Sequence, residues 1–277
     1  MATQEIYEIF ALRYAERRNR TRGENFKMAD DHDAPMPIDY YLWVIRNEAR
    51  TIVVDTGFGM AEARKRGRQL LQTPEQALTR VGVQLATVKD VVITHLHYDH
   101  AGTLPDFSAA RFHLQSSEMA FATGPAMLDA GERWAFSADH VCDMVRLLYD
   151  DRLVFHDEDA DIAPGITLHR LPGHTAGLQV VRVATRRGFV VLASDASHFY
   201  ENFARRSPYP ICYSEPDMLK SFERLEQLAD SEDHIIPGHD PLVRAIYSPP
   251  SGELDGWACR LHEPPAKSLR SMGFGFA

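Results

Sequence analysis

The sequence predicts one α/β domain built on mixed sheets, spanning residues 1–277. Short β-branched apolar runs intermix with helical stretches along its whole length. No repeat or low-complexity tract interrupts them, and no linker divides the chain. With 277 residues, 44% of them hydrophobic, the chain can bury a sizeable core.

Residues 6–14 hold Ile6, Tyr7, Ile9, Phe10 and Tyr14 and read as a strand. Residues 15–37 turn polar, with Asn19, Gly23, Asp30, Asp31, Asp33 and two prolines. They predict a protruding loop of the length used by lids and partner contacts. Residues 39–46 and 51–55 are β-rich runs around Asn47-Glu48-Ala49-Arg50, a hairpin signal. Past Gly57 and Gly59, residues 61–71 and 74–81 have helical composition. Residues 90–94 form a buried-strand pattern that runs straight into His95. Residues 116–149 read as mostly helical. Strands are expected at 166–171, 178–185 and 188–193, the last two joined tightly through Arg186-Arg187. Residues 216–229 place Leu219, Phe222, Leu225 and Leu228 on one helical face. A short strand at 234–237 ends at Gly238-His239.

The net charge of −9 disfavours a nucleic-acid backbone or an anionic membrane as partner. Cys142, Cys212 and Cys259 are odd in number and far apart, so neither a disulfide framework nor a thiolate zinc site is expected. The first ten residues carry no secretory pattern, and no apolar run is long enough to span a bilayer. A cytoplasmic protein acting on a small molecule is the expectation.

The chemistry concentrates in Thr94-His95-Leu96-His97-Tyr98-Asp99-His100-Ala101-Gly102. Four ligand-type side chains within six residues suit zinc, iron, manganese or cobalt. A single ion cannot readily take all four, whereas two neighbouring ions can share them. Packing explains such density poorly, because this many buried polar groups would lack compensation. Three later positions follow strands: His174 in Pro172-Gly173-His174-Thr175, Asp195 after Leu192-Ala193-Ser194, and His239 in Pro237-Gly238-His239-Asp240. Each alone carries little weight; their order behind the first cluster carries more.

These motifs resemble the metallo-β-lactamase superfamily, whose signature is His-x-His-x-Asp-His followed by His, Asp and His. The resemblance covers residues 39–241 and implies a four-layer αββα sandwich of two mixed β-sheets flanked by helices. It also implies two divalent metal ions, zinc or else iron, manganese or cobalt. His95, His97 and His174 would hold the first and Asp99, His100 and His239 the second, with Asp195 between them. Asp195 stands where the best-known β-lactamases carry cysteine, and His97 where oxygen-reducing di-iron members carry glutamate. Asp195-Ala196-Ser197, Glu201-Asn202-Phe203 and Val54-Asp55-Thr56-Gly57 are similar to the N-acyl-homoserine-lactone lactonases. That branch implies lactone opening by a metal-bridging hydroxide, with Asp99 as proton carrier, and a homodimer. Other ester, thioester or phosphodiester hydrolysis on the same metals is the alternative, and a non-catalytic metal protein a further one. One position departs from the branch. Three residues after Asp195, where those lactonases commonly place a substrate-touching tyrosine, stands His198, a candidate oxyanion donor or a plain surface histidine. Asp55 is read as a support for a ligand imidazole or as a turn residue.

Overall fold

The computed structural model describes residues 5–28 and 30–275. Seven strands come first: β1 (Glu8–Arg17), β2 (Ile38–Arg46), β3 (Thr51–Val54), β4 (Gln69–Leu70), β5 (Asp90–Val92), β6 (Arg111–Gln115) and β7 (Leu153–His156). A second set follows: β8 (Ala160–Ala163), β9 (Ile166–Arg170), β10 (Gln179–Thr185), β11 (Gly188–Ser194) and β12 (Ile235–Pro237). The last strand, β13 (Ala258–Arg260), returns to the first set. The first sheet has the order β13-β1-β2-β3-β5-β6-β7, with β4 paired to β1; the second is β12-β11-β10-β9-β8. Both are mixed. β1, β2 and β3 are antiparallel while β3, β5, β6 and β7 run parallel. In the second sheet only β11 and β12 are parallel.

Strand β2 shows why the sheets stack between helices. Its side chains alternate across the sheet. Tyr41, Trp43 and Ile45 enter the core shared with Val181, Val183 and Val191 of the second sheet. Tyr40, Leu42 and Val44 enter a separate core on the opposite face. That outer core receives α1 (Met60–Arg66), α2 (Pro74–Arg80), α3 (Ser116–Ala122) and, past the single-turn α4 (Ala130–Arg133), α5 (Ala138–Tyr149), through residues such as Ala63, Leu78, Met119 and Met144. Beyond the second sheet lie α6 (Tyr200–Ala204), α7 (Glu215–Leu228) and α8 (Leu242–Ile246). The amphipathic face expected of α7 is buried through Phe222, Leu225 and Leu228. Each such side chain contributes about 1.5–3 kcal/mol when fully buried. The architecture is the expected αββα sandwich.

Three local expectations are corrected. The run at 61–71 is not one helix: Gly67 takes a left-handed C-cap at φ 63°, and Gln69–Leu70 pair with Ala15 and Glu16 instead. Strand β1 runs on to Arg17, where Glu16 pairs with Asp39 and Arg17 with Ile38 of β2, and Arg13 reaches Asp39 at 2.8 Å and Glu16 at 2.5 Å. Strands β6, β7, β8 and β13 had no sequence signal. β7, β8 and β13 are sheet edges. In β6 the polar His113 and Gln115 are buried by partners remote in sequence, His156 with Asp90 and Gln179.

After β1 the chain folds back over one end of the sandwich. Thr21 bridges Pro35, and Asn25 and Phe26 are buried, Phe26 against Phe199. No helix among the described residues is long and apolar enough to cross a membrane.

Candidate metal centre

The ligand-type residues leave strands that end on one side of the sandwich. Asp55 follows β3, His95 follows β5, His174 follows β9, Asp195 follows β11 and His239 follows β12. The carboxyl ends of neighbouring parallel strands gather side chains at one edge, and here they do so from both sheets. Two tight spots keep the loops close. A Cβ on Gly177 would collide with the Glu118 backbone, and one on Gly238 would come within 2.5 Å of Asp195 Oδ1. Asp55 and Ser194 hold left-handed backbone at φ 61° and 45°, an arrangement that costs about 1–3 kcal/mol per residue and clusters at functional sites.

All seven residues singled out in the sequence are buried and converge. Atoms of His95, His97 and His174 form one trio and those of Asp99, His100 and His239 another; within each, facing atoms lie no more than 4.8 Å apart. Asp195 joins the two, forming further trios with His95 and His100 and with His174 and His198. Its Oδ2 is 3.3 Å from His174 Nε2, and its Oδ1 is 3.1 Å from His239 Nε2 and 3.5 Å from His100 Nε2.

The far nitrogens are fixed from outside. His100 Nδ1 meets Asp55 Oδ2 at 2.7 Å, His174 Nδ1 donates to the Ile211 carbonyl at 2.8 Å, and His239 Nδ1 to the Asp39 carbonyl at 2.9 Å. Asp55 also accepts from the Thr94 backbone and hydroxyl, so the support expected of it is present. With Nδ1 engaged, each Nε2 turns inward. Nε2 of His95, His100 and His174 and Oδ1 of Asp195 are buried without a hydrogen-bond partner. Unpaired buried polar atoms are costly, and imidazole nitrogen with carboxylate oxygen is the donor set of zinc, iron, manganese or cobalt. The residues therefore fit a pair of divalent cations.

Electrostatics agree. Burial holds His95 and His97 well below the ordinary histidine range, hence neutral, the ligating form. At His100 burial pulls down too, but the Asp195, Asp55 and Asp99 carboxylates outweigh it and push the group well above that range. His239 is raised likewise by Asp195 and Asp99 against burial. Burial would raise Asp195, yet His239, His100 and His198 hold it well below the carboxylate range. This half of the site demands positive charge, and a cation would meet that demand.

His198 faces the same centre. Its Nε2 is 2.9 Å from Asp195 Oδ2, its ring stacks on Tyr209 at 3.6 Å, and its Nδ1 is buried without a partner. Tyr209 in turn donates to the Asp195 backbone carbonyl. Tyr200, two residues past His198, faces elsewhere, with a fully buried ring near Phe203 and Phe274.

Sequence reasoning missed Glu118. Fully buried on α3, it accepts from Leu96 N at 2.9 Å, Thr175 Oγ1 at 2.7 Å and Gly177 N at 3.0 Å. One carboxylate thus ties the His95–His100 loop to the His174 loop. Also missed were Arg20 and Arg68. They line a cavity of about 30 Å³ together with His97, Asp99, His174, Asp195, His198 and His239. Among aromatic residues, Trp134 lines this cavity and Phe136 packs on His97 at 4.6 Å, whereas Phe26 and Tyr41 belong to the cores.

Comparison with known proteins agrees with this geometry. A probable metallo-hydrolase of Mycobacterium tuberculosis is 24% identical over 239 residues, covering 76% of this chain and 74% of that protein. An N-acyl homoserine lactonase of Bacillus thuringiensis is 29% identical over 222 residues, covering 74% and 82%. Among solved structures, a quorum-quenching N-acyl homoserine lactone lactonase superposes with a TM-score of 0.72 at 21% identity, covering 87% of this chain and 95% of that one. A dizinc quorum-quenching lactonase superposes with a TM-score of 0.64 at 17% identity, covering 86% and 89%. At such identities the structural likeness establishes the fold. The family model of the metallo-beta-lactamase superfamily matches residues 38–239, well over half of the chain, and the chain belongs to that superfamily.

Proposed function

We propose that this protein is a dinuclear metal hydrolase that opens lactone rings. The observation that carries the reading is the pair of buried trios joined by Asp195, with inward nitrogens that find no hydrogen-bond partner among the described residues. His95, His97 and His174 would hold one ion, Asp99, His100 and His239 the other, and Asp195 would touch both. Such ions supply a Lewis acid for a carbonyl and a water acidified toward neutral pH. The similarity to N-acyl homoserine lactonases supports the choice of a lactone.

The chain's own groups do the remaining work. Asp99 lines the cavity with a carboxylate 3.6 Å from His239 Nε2; in this reading it carries a proton from the nucleophile to the leaving alkoxide. Burial pushes His198 well below the ordinary histidine range, so its ring is neutral and has one N–H. Donation to Asp195 engages that proton, and in this reading it shifts to the carbonyl oxygen as charge develops there. Tyr209 holds the ring flat for the exchange.

Two measurements test the reading. Metal-reconstituted protein should hydrolyse γ- and δ-lactones faster than open-chain esters, thioesters or phosphodiesters; the reverse preference would select another ester-type substrate. His198→Phe should lower kcat about a hundredfold, the scale of one oxyanion donor, with metal content unchanged. An unaltered rate would remove His198 from the chemistry.

A further inference from the structure

We propose that the substrate carries a carboxylate, held at the mouth of the metal cavity by Arg20 and Arg68. This rests on the ring-opening reading above and names the class of substrate: a lactone or ester acid.

The small metal cavity shares Arg20, Arg68, Trp134 and Ile211 with a wider cavity of about 730 Å³, which forms its approach. The walls of that approach carry Arg17, Arg20, Lys65, Arg66, Arg68 and Arg133 against a single acid, Glu24. In a chain of net charge −9 this is a local inversion of sign. A cleft lined by one sign of charge concentrates ligands of the other.

Internal pairing accounts for only part of the cluster. Glu24 takes Arg17 at 2.5 Å, and Glu62 takes Arg66 at 2.5 Å and Lys65 at 3.6 Å. Among the described residues Arg20, Arg68 and Arg133 have no ion pair. Arg133 is exposed at the rim. Arg20 is only 5% exposed; its one side-chain bond goes to the Glu24 backbone carbonyl at 2.8 Å, and its Nε is buried without a partner. Arg68 bonds the Tyr98 hydroxyl at 2.9 Å and the Arg66 carbonyl at 2.7 Å, which leaves its remaining N–H groups free for a ligand. A buried guanidinium without an ion pair is costly unless an anion completes it. Two guanidinium forks on the wall shared by both cavities suit a planar carboxylate. Asp99 and Asp195 on the inner wall disfavour a second negative charge, so a phosphate dianion fits less well.

The test separates binding from turnover. Isothermal titration calorimetry on the metal-loaded protein would compare glutarate, a stand-in for a ring-opened acid, with its monomethyl ester and with 4-phosphonobutyrate. Glutarate should bind at least about tenfold tighter than the monomethyl ester, the scale of one charged hydrogen bond. The advantage should shrink between about 50 and about 300 mM salt. It should collapse in Arg68→Gln and Arg20→Gln and return in part in Arg68→Lys. Arg68 is half-buried between Gly67 and the short strand β4, so its variants keep the test decisive should buried Arg20 prove essential for folding. In turnover, Arg68→Gln should raise KM for a carboxylated γ-lactone at least about tenfold more than KM for its methyl ester. Equal affinity for the two glutarates, or a preference untouched in both Gln variants, overturns the inference. Tighter binding of the phosphonate replaces the carboxylate with a phosphate. Lactone turnover with no preference for the acid defeats this inference alone. Failure to open any lactone defeats the ring-opening reading, and the calorimetric preference is decided independently.

Discussion

Asp195→Ala should lower kcat/KM roughly a thousandfold, about 4 kcal/mol of transition-state stabilisation, and release metal at the same time. Nε2 atoms of His100, His174, His198 and His239 all lie within 3.5 Å of its carboxylate, and Nε2 of His95 lies at 3.8 Å. Asp195 belongs to two trios, one with His95 and His100 and one with His174 and His198. Removing it strips the negative charge that draws cations in, and leaves Asp99 as the acid nearest the inward nitrogens of His100 and His239. Asp195→Asn separates charge from shape: it should keep the fold and still lose metal. Metal analysis of both purified variants beside their rates checks this. A variant that retains two ions and wild-type turnover would remove Asp195 from the centre.

Glu118→Gln should weaken metal binding about 10–100-fold without touching a single ligand. Three donors converge on this buried carboxylate. A glutamine offers one oxygen and turns its NH₂ toward a donor. The mismatch leaves buried groups unsatisfied and should cost about 1–3 kcal/mol of stability. The effect on metal comes through position, because the loops bearing His95, His97 and His174 lose their common tie. Chelator competition reads the affinity and thermal unfolding reads the stability. Wild-type affinity in a destabilised variant would make Glu118 a packing residue only.

The difference between those two residues shows what a sequence displays. His95, His97, Asp99 and His100 lie within one loop, so their density is visible without a fold. His174, Asp195 and His239 each stand within four residues of a strand end, and strand ends are where an α/β sheet gathers ligands. Asp55 was legible for the same reason. Glu118 looks like an ordinary helical glutamate, because its partners Leu96 and Gly177 are distant in sequence and meet it only through packing. Arg20 lay in a stretch read as a surface loop, and Arg68 in one read as continuous helix. Gly67 ends that helix, and the pairing of β4 with β1 follows beside Arg68. The sheet core was readable from β2, β10 and β11, where apolar β-branched runs are long. The edge strands β7 and β8 were not, since half-exposed edges need no apolar pattern, and β13 is only three residues long.

Anomalous X-ray diffraction from crystals of zinc-reconstituted protein tests the central claim most directly. Two peaks are expected, one among His95, His97 and His174 and one among Asp99, His100 and His239, with Asp195 touching both. A single peak, or zinc bound elsewhere while those side chains stay apart from it, would contradict the account.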